Sequence, residues 1–202
     1  MTLSKAPLKI GVFGTAADPP HLGHLEIVKC AKRFLDLDRV IVIPTKIPSH
    51  KAEPETSAHA RFKMSRLLFT NTPGVLVSDM EIRRRGISYT KDTIAELKKK
   101  HPKYRLFWII SLETLLNVPR EWREGYKILD LCRFAVVMRR GYKLEKIPAT
   151  VLAKIVMIKN CRPQEVSSTK IREIISKKGS AARFVGKKVY KFIQKRKLYE
   201  KR

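Results

Sequence analysis

The run Leu8-Lys9-Ile10-Gly11-Val12-Phe13, the turn Gly14-Thr15-Ala16-Ala17-Asp18-Pro19-Pro20 and the tetrad His21-Leu22-Gly23-His24 decide the fold. The first is a short apolar segment of the kind that forms a buried strand. The last opens an amphipathic helix over Leu22–Leu35, with Leu22, Leu25, Val28 and Phe34 at roughly helical spacing. Asp18 is the expected N-cap, with Pro19 or Pro20 at the first helical position, where a missing N–H costs nothing. Two histidines three positions apart share one helix face. In an α/β sheet ligands bind beyond the carboxyl ends of the strands, and phosphates favour a helix N-terminus. The arrangement therefore predicts a phosphate-handling site. Zinc is the weaker alternative: the metalloprotease helix spaces its histidines by four around a glutamate, and Cys30 stands alone nearby. Two accidental surface histidines are the plain one. Gly11-x-x-Gly14 is too sparse for a dinucleotide fingerprint, and no Gly-rich loop ends in Lys-Ser/Thr.

Outward from this stretch the chain alternates strand and helix. Short apolar runs predict strands at Leu8–Phe13, Val40–Ile43, Val75–Ser78, Leu106–Ile110, Phe134–Met138 and Ile155–Ile158. Helices are expected at Leu22–Leu35, Ala58–Asn71, Lys91–Lys100, Glu113–Val118, Glu124–Leu131, Thr169–Lys177 and Lys187–Lys197. Such alternation implies an α/β fold, a doubly wound, mostly parallel Rossmann-like sheet. With 202 residues, 44% of them hydrophobic, one domain spanning 1–202 is the simplest reading, with 170–202 as a helical segment packed on it. The proline-bearing stretch Thr45–Ser57, around Pro48-Ser49-His50-Lys51, reads as a mobile substrate loop.

No apolar stretch is long enough for a signal peptide or a membrane span, and the three scattered cysteines, Cys30, Cys132 and Cys161, suit buried thiols in a reducing cytoplasm. The net charge of +26 would suit nucleic acid, a membrane surface or polyanionic small substrates. Its spread along the whole sequence, with one denser run from Lys187 to Arg202 that reads as a solvated helix face, does not favour nucleic acid.

A second constellation stands at Val166-Ser167-Ser168-Thr169-Lys170-Ile171-Arg172-Glu173. Ser167 or Ser168 can cap the helix that follows. Lys170 and Arg172 fall in its first turn, where the helix dipole disfavours cations. A bound anion would remove that conflict, so the segment pairs with His21 and His24 as the second side of a polyphosphate grip.

Together the two motifs resemble the His-x-Gly-His nucleotidyltransferase superfamily, and within it the nicotinate-nucleotide adenylyltransferases. Pro48-Ser49-His50-Lys51 is similar to that family's Pro-Pro-His-Lys loop. Met80-Glu81-Ile82-Arg83 with Gly86-Ile87-Ser88-Tyr89-Thr90-x-Asp92-Thr93 resembles its signature. Trp122, the Arg139-Arg140-Gly141-Tyr142 turn and the Val185–Tyr199 ending also match. The resemblance covers nearly the whole chain. It departs at Gly14-Thr15-Ala16-Ala17, where the family has Gly-Gly-Thr/Ser-Phe, and at Ser111-Leu112-Glu113, where it has Gly-x-Asp. Weaker ATP binding is expected from both changes.

The resemblance implies cytoplasmic adenylyl transfer from ATP to nicotinate mononucleotide, giving deamido-NAD and pyrophosphate, with Mg²⁺ carried by ATP and no metal held by the protein. His21, His24 and Arg172 would be catalytic. Gly14, Thr15, Ser111, Glu113, Arg139, Ser167, Ser168 and Thr169 would join them around ATP. Asp18, Lys46, His50, Lys51, Ser88, Tyr89, Thr90 and Trp122 would hold the pyridine nucleotide. Two alternatives stand beside this: another acceptor, nicotinamide mononucleotide or a pantetheine phosphate, and a non-catalytic nucleotide- or RNA-binding homologue.

Overall fold

The computed structural model of the chain describes residues 7–48, 53–138 and 147–200. Strands β1 (Lys9–Thr15), β2 (Arg39–Pro44), β3 (Val75–Val77), β4 (Arg105–Ser111), β5 (Arg133–Val137) and β6 (Ile155–Ile158) pair in the order β3-β2-β1-β4-β5-β6. Every pairing is parallel. The apolar runs are continuous because both faces of the sheet are covered. Ile10, Val12, Trp108, Ile110, Phe134 and Val136 face one core with α4 (Thr90–Lys100) and α5 (Leu112–Glu121). The alternate residues Phe13, Val40, Val42, Phe107, Ile109 and Val137 face a second core with α1 (Leu22–Phe34) and the end of α2 (Ala58–Phe69). A third cluster joins α7 (Ser168–Ser176), α8 (Ala182–Val185) and α9 (Lys187–Lys195) to Met64 of α2.

Each expected strand forms, within two residues at either end. The segment expected as a helix over Glu124–Leu131 is a 3₁₀ helix, Gly125–Asp130. The four-residue helices α3 (Met80–Arg83) and α6 (Ala149–Leu152), like α8, were not expected, since one turn is too short to show a period.

Two expectations are corrected. Asp18 does not cap α1; His21 does, in extended backbone (φ −143°, ψ 169°), and the Asp18 carboxylate is used elsewhere. Cys30 and Cys161 are not free thiols but a disulfide across 131 residues. Sequence spacing carries no trace of it, because only the parallel sheet brings the end of α1 beside the segment after β6. Among the described residues no helix is long and apolar enough to cross a membrane.

Candidate active site

Strand order reverses between β1 and β4, so a crevice opens at their carboxyl ends. The turn after β1 and the start of α1 stand at its rim. The His21 and His24 rings stack there, with centroids 3.6 Å apart and planes at 23°. His21 is 2% exposed and His24 half-buried. The His21 backbone N–H donates to His24 Nδ1 at 3.4 Å. That bond leaves the proton of a neutral His24 ring on Nε2, which is then a donor. Thr15 Oγ1 lies 3.5 Å from Nε2. Gly23 is required by space rather than by dihedral angle: a Cβ there would stand 2.9 Å from the Gln164 carbonyl oxygen and 3.1 Å from the His21 ring. The motif's glycine thus lets the segment leading into α7 press against the histidine helix. The Gln164 N–H also donates to the Glu26 carboxylate.

From the other side α7 closes on the turn. Ser168 Oγ donates to the Pro19 carbonyl at 2.9 Å, and Arg172 Nη1 to the Asp18 carbonyl at 2.8 Å. Ser167 caps the helix by accepting from Lys170 N–H, and Thr169 is exposed beside it. The charge conflict in this first turn is met inside the protein. Arg172 Nε pairs with Glu55 at 2.6 Å, and Lys170 and Lys177 both pair with Glu173. Hydrogen bonds from Lys177 and Lys170 pull the Glu173 carboxyl down to about 2. An anion at this helix would therefore compete with Glu55 for Arg172.

The stretch 45–57 is anchored at its two described flanks, 45–48 and 53–57. Arg61, 1% exposed, donates from Nε to the Thr56 carbonyl, from Nη1 to those of Ala16 and Thr45, and from Nη2 to that of Lys46. Burial lowers its pKa, against the attraction of Asp18 and Tyr199. One guanidinium so ties the turn before α1 to the loop after β2. The Lys46 ammonium donates to the Arg84 carbonyl at 3.1 Å. His50, Lys51 and Arg139 lie outside the described residues.

A second group gathers at the start of α4. Ser88 is buried, its N–H donates to the Ile47 carbonyl at 3.2 Å, and its hydroxyl has no hydrogen-bond partner among the described residues. Its N–H is thus spent, whereas Thr90 and Lys91 open the helix, where N–H groups precede the intrahelical ladder. The end of α5 closes on the same place. Arg123 lies over the Tyr89 ring (5.7 Å), Lys91 pairs with Glu124, and Trp122, half-buried, meets Phe134 edge-on. Beneath this helix start Thr93 donates to the buried Glu81 carboxylate at 2.7 Å and accepts from Arg84 at 2.9 Å. Ser111 turns its hydroxyl into α5, accepting from Thr114 N–H at 3.2 Å, and Glu113 is exposed in that helix's first turn.

The structure thus brings His21, His24, Thr15, Ser168 and Arg172 to one rim, and Ser88, Tyr89, Thr90 and Trp122 to the adjoining one. Arg61, Glu55, Thr56, Glu81 and Tyr199 were missed as site-forming residues. Only Arg61 left a signal, a cation on the otherwise apolar and small stripe Met64, Ser65, Phe69 of α2.

A parallel sheet with paired imidazoles at its crossover and a hydroxyl- and Arg-bearing helix opposite defines a nucleotidyltransferase, and the cytidylyltransferase-like family model matches residues 12–174. The chain is 34% identical to the nicotinate-nucleotide adenylyltransferase of Bacillus subtilis over 95% of its own length and 98% of that protein's. It is 35% identical to the "Probable nicotinate-nucleotide adenylyltransferase" of Fusobacterium nucleatum, over 93% and 98% of the two chains. The Plasmodium falciparum nicotinic acid mononucleotide adenylyltransferase complexed with NaAD shares the fold, with a TM-score of 0.79 at 19% identity over 95% of this chain and 97% of that one. The chain belongs to the nicotinate-nucleotide adenylyltransferase family.

Proposed function

We propose that the chain transfers the adenylyl group of ATP to nicotinate mononucleotide, forming deamido-NAD and pyrophosphate for NAD biosynthesis. The observation that carries this reading is the stacked His21–His24 pair at the entry of α1, facing Ser168 and Arg172 of α7. Family membership supplies the acceptor. A phosphate oxygen of the mononucleotide attacks the α-phosphorus of ATP in line, and the bond to the β-phosphate oxygen breaks. This chemistry depends on positioning and charge stabilisation more than on covalent help. His24 Nε2–H donates to the α-phosphate as negative charge builds on it, with His21 stacked beneath. Ser167, Thr169 and Arg172 hold the leaving pyrophosphate, Arg172 exchanging Glu55 for phosphate oxygens. Thr15, one residue before the altered position Ala16, supplies a hydroxyl beside His24.

The acceptor's carboxylate fits the Ser88 hydroxyl and the first N–H groups of α4, with its ring against Trp122 and its phosphate toward Lys46. Among the described residues no group of three or more His, Cys, Asp or Glu is arranged to hold a metal, and both oxygens of Asp18 take protein hydrogen bonds. The donors present suit Mg²⁺ held by the triphosphate and water, where it would neutralise phosphate charge. A cytoplasmic setting, where ATP is supplied, belongs to the same reading and rests on the substrate alone, since the Cys30–Cys161 bridge removes the argument from free thiols.

The test is pyrophosphate release from ATP with nicotinate mononucleotide, nicotinamide mononucleotide or a pantetheine phosphate as acceptor. The acid should be preferred over the amide by about ten- to a hundredfold, the worth of one or two charge-assisted bonds. His24→Ala should lower kcat about a hundredfold in a folded protein, as loss of one transition-state donor does elsewhere. Near-normal turnover by that variant would remove the assignment. No turnover with any acceptor would make the chain a binding homologue.

A further inference from the structure

The end of the chain reaches the turn that precedes the histidines. Tyr199 lies 181 positions after Asp18, yet its hydroxyl donates to Asp18 Oδ1 at 2.7 Å. The Thr56 hydroxyl donates to the same oxygen at 2.7 Å, and the Glu55 N–H fills Oδ2 at 2.7 Å. Asp18 is 5% exposed, so its carboxylate is committed to the protein and is not a ligand group for the nucleotide. The turn is held twice: through its backbone carbonyls by Ser168 and Arg172, and through this one side chain by Thr56, Glu55 and Tyr199.

Packing alone accounts for the Tyr199 ring, which closes the cluster of Val185, Val189 and Ile193. It does not account for the hydroxyl, nor for a bulky residue at φ 65°, a region such side chains enter only when their surroundings hold them there. Burial and the neighbouring Asp18 charge raise the phenol's pKa well above the ordinary tyrosine range, so the group stays a donor. We propose that Tyr199 is a positioning residue for adenylyl transfer: through Asp18, its hydroxyl fixes the turn from Asp18 to His21, and with it the entry of α1 and the aim of the His21–His24 pair. The proposal rests on the adenylyl-transfer reading above. The C-terminal segment then does more than pack on α2, because a side chain that follows α9 completes the phosphate-facing turn.

Tyr199→Phe keeps the ring and removes only the hydroxyl. A small misplacement of reacting groups costs up to a hundredfold in rate. With two donors left on Asp18, a fall of about tenfold in kcat is expected. KM for nicotinate mononucleotide should stay nearly unchanged, since its carboxylate and ring are placed at the start of α4 and at Trp122, whereas the Tyr199 hydroxyl bonds to Asp18 and Thr56. Val189→Ala, in the same cluster, should lower the unfolding temperature without lowering kcat. Asp18→Asn added to Tyr199→Phe should cost less than the two single losses multiplied, because both act on one contact. The imidazole proton resonances of His21 and His24 should shift in Tyr199→Phe and not in Val189→Ala, a readout that needs no turnover. Wild-type kcat in Tyr199→Phe, an equal kcat loss in Val189→Ala, or fully multiplicative losses would each overturn the proposal. An inactive wild-type chain would overturn the adenylyl-transfer reading instead, and the resonances would still report whether Tyr199 sets the turn.

Discussion

Glu81 is a carboxyl that the site buries and does not expose to substrate. It is 4% exposed, accepts from Thr93 at 2.7 Å, and has a second oxygen without a hydrogen-bond partner. Burial pushes its pKa up, against the hydrogen bond from Thr93 and the attraction of Arg84. The native protein therefore keeps this proton to higher pH than the unfolded chain, whose glutamates titrate near about 4.3. The stability that the protonated form contributes is full below that pH and is lost as pH rises through the native value. Glu81→Gln keeps the shape and removes the ionisation. Urea unfolding at about pH 4 and about pH 7 should show the variant gaining on the wild type at the higher pH. Parallel curves would mean that Glu81 is ionised in the fold without cost. The histidines were legible in the sequence because a polar pair at a helix entry is visible without the fold. Glu81 was quoted only as part of a signature, and Ser88 was expected at the pyridine nucleotide through the resemblance alone; what matters about both, burial and an orphaned oxygen, exists only after α3 and α4 pack on β2.

At the scale of elements, α2 shows how a helix can organise a site that it does not enter. Its buried stripe is Arg61, Met64, Ser65 and Phe69. Met64 and Phe69 pack on two different cores, and Arg61 gathers carbonyls from the turn after β1 and the loop after β2. A planar guanidinium reaches four acceptors at fixed angles, which an ammonium cannot. Arg61→Met would leave those carbonyls without the guanidinium and remove one of the two cations beside Asp18, the other being Arg172. Losses on breaking such buried networks run to about 3–5 kcal/mol. Arg61→Lys should recover only a minor part of that in chemical denaturation, and a variant as stable as the wild type would show that water replaces the guanidinium. Strands and long helices were legible because a period of two or of 3.6 needs only a few repeats. The anchoring of the described flanks of 45–57 was not: Pro48 and Pro54 read as a mobile loop, while the restraint on those flanks comes from one side chain on the next helix.

For the whole molecule, charge and topology pull in opposite directions. A net charge of +26 on 202 residues favours expansion by self-repulsion. The Cys30–Cys161 disulfide opposes this, joining the histidine helix to the segment that leads into α7 across 131 residues. Closing a loop of that length restricts the unfolded chain by about 5 kcal/mol in the chain-entropy model, with about 2–5 kcal/mol the usual measured range. Reduction should therefore lower the urea midpoint substantially. Cys30→Ser should match the reduced protein and show no further response to reductant. The remaining cysteine gives an independent count. Burial pushes the Cys132 thiol up to about 12, so it is a poor nucleophile in the folded chain. Thiol titration of the unreduced protein should find almost none while native, one after denaturation, and all three after reduction. Three thiols in the denatured chain before any reductant is added would show that the bridge does not form. Stability would then have to come from the sheet's two cores and the α7–α9 cluster alone.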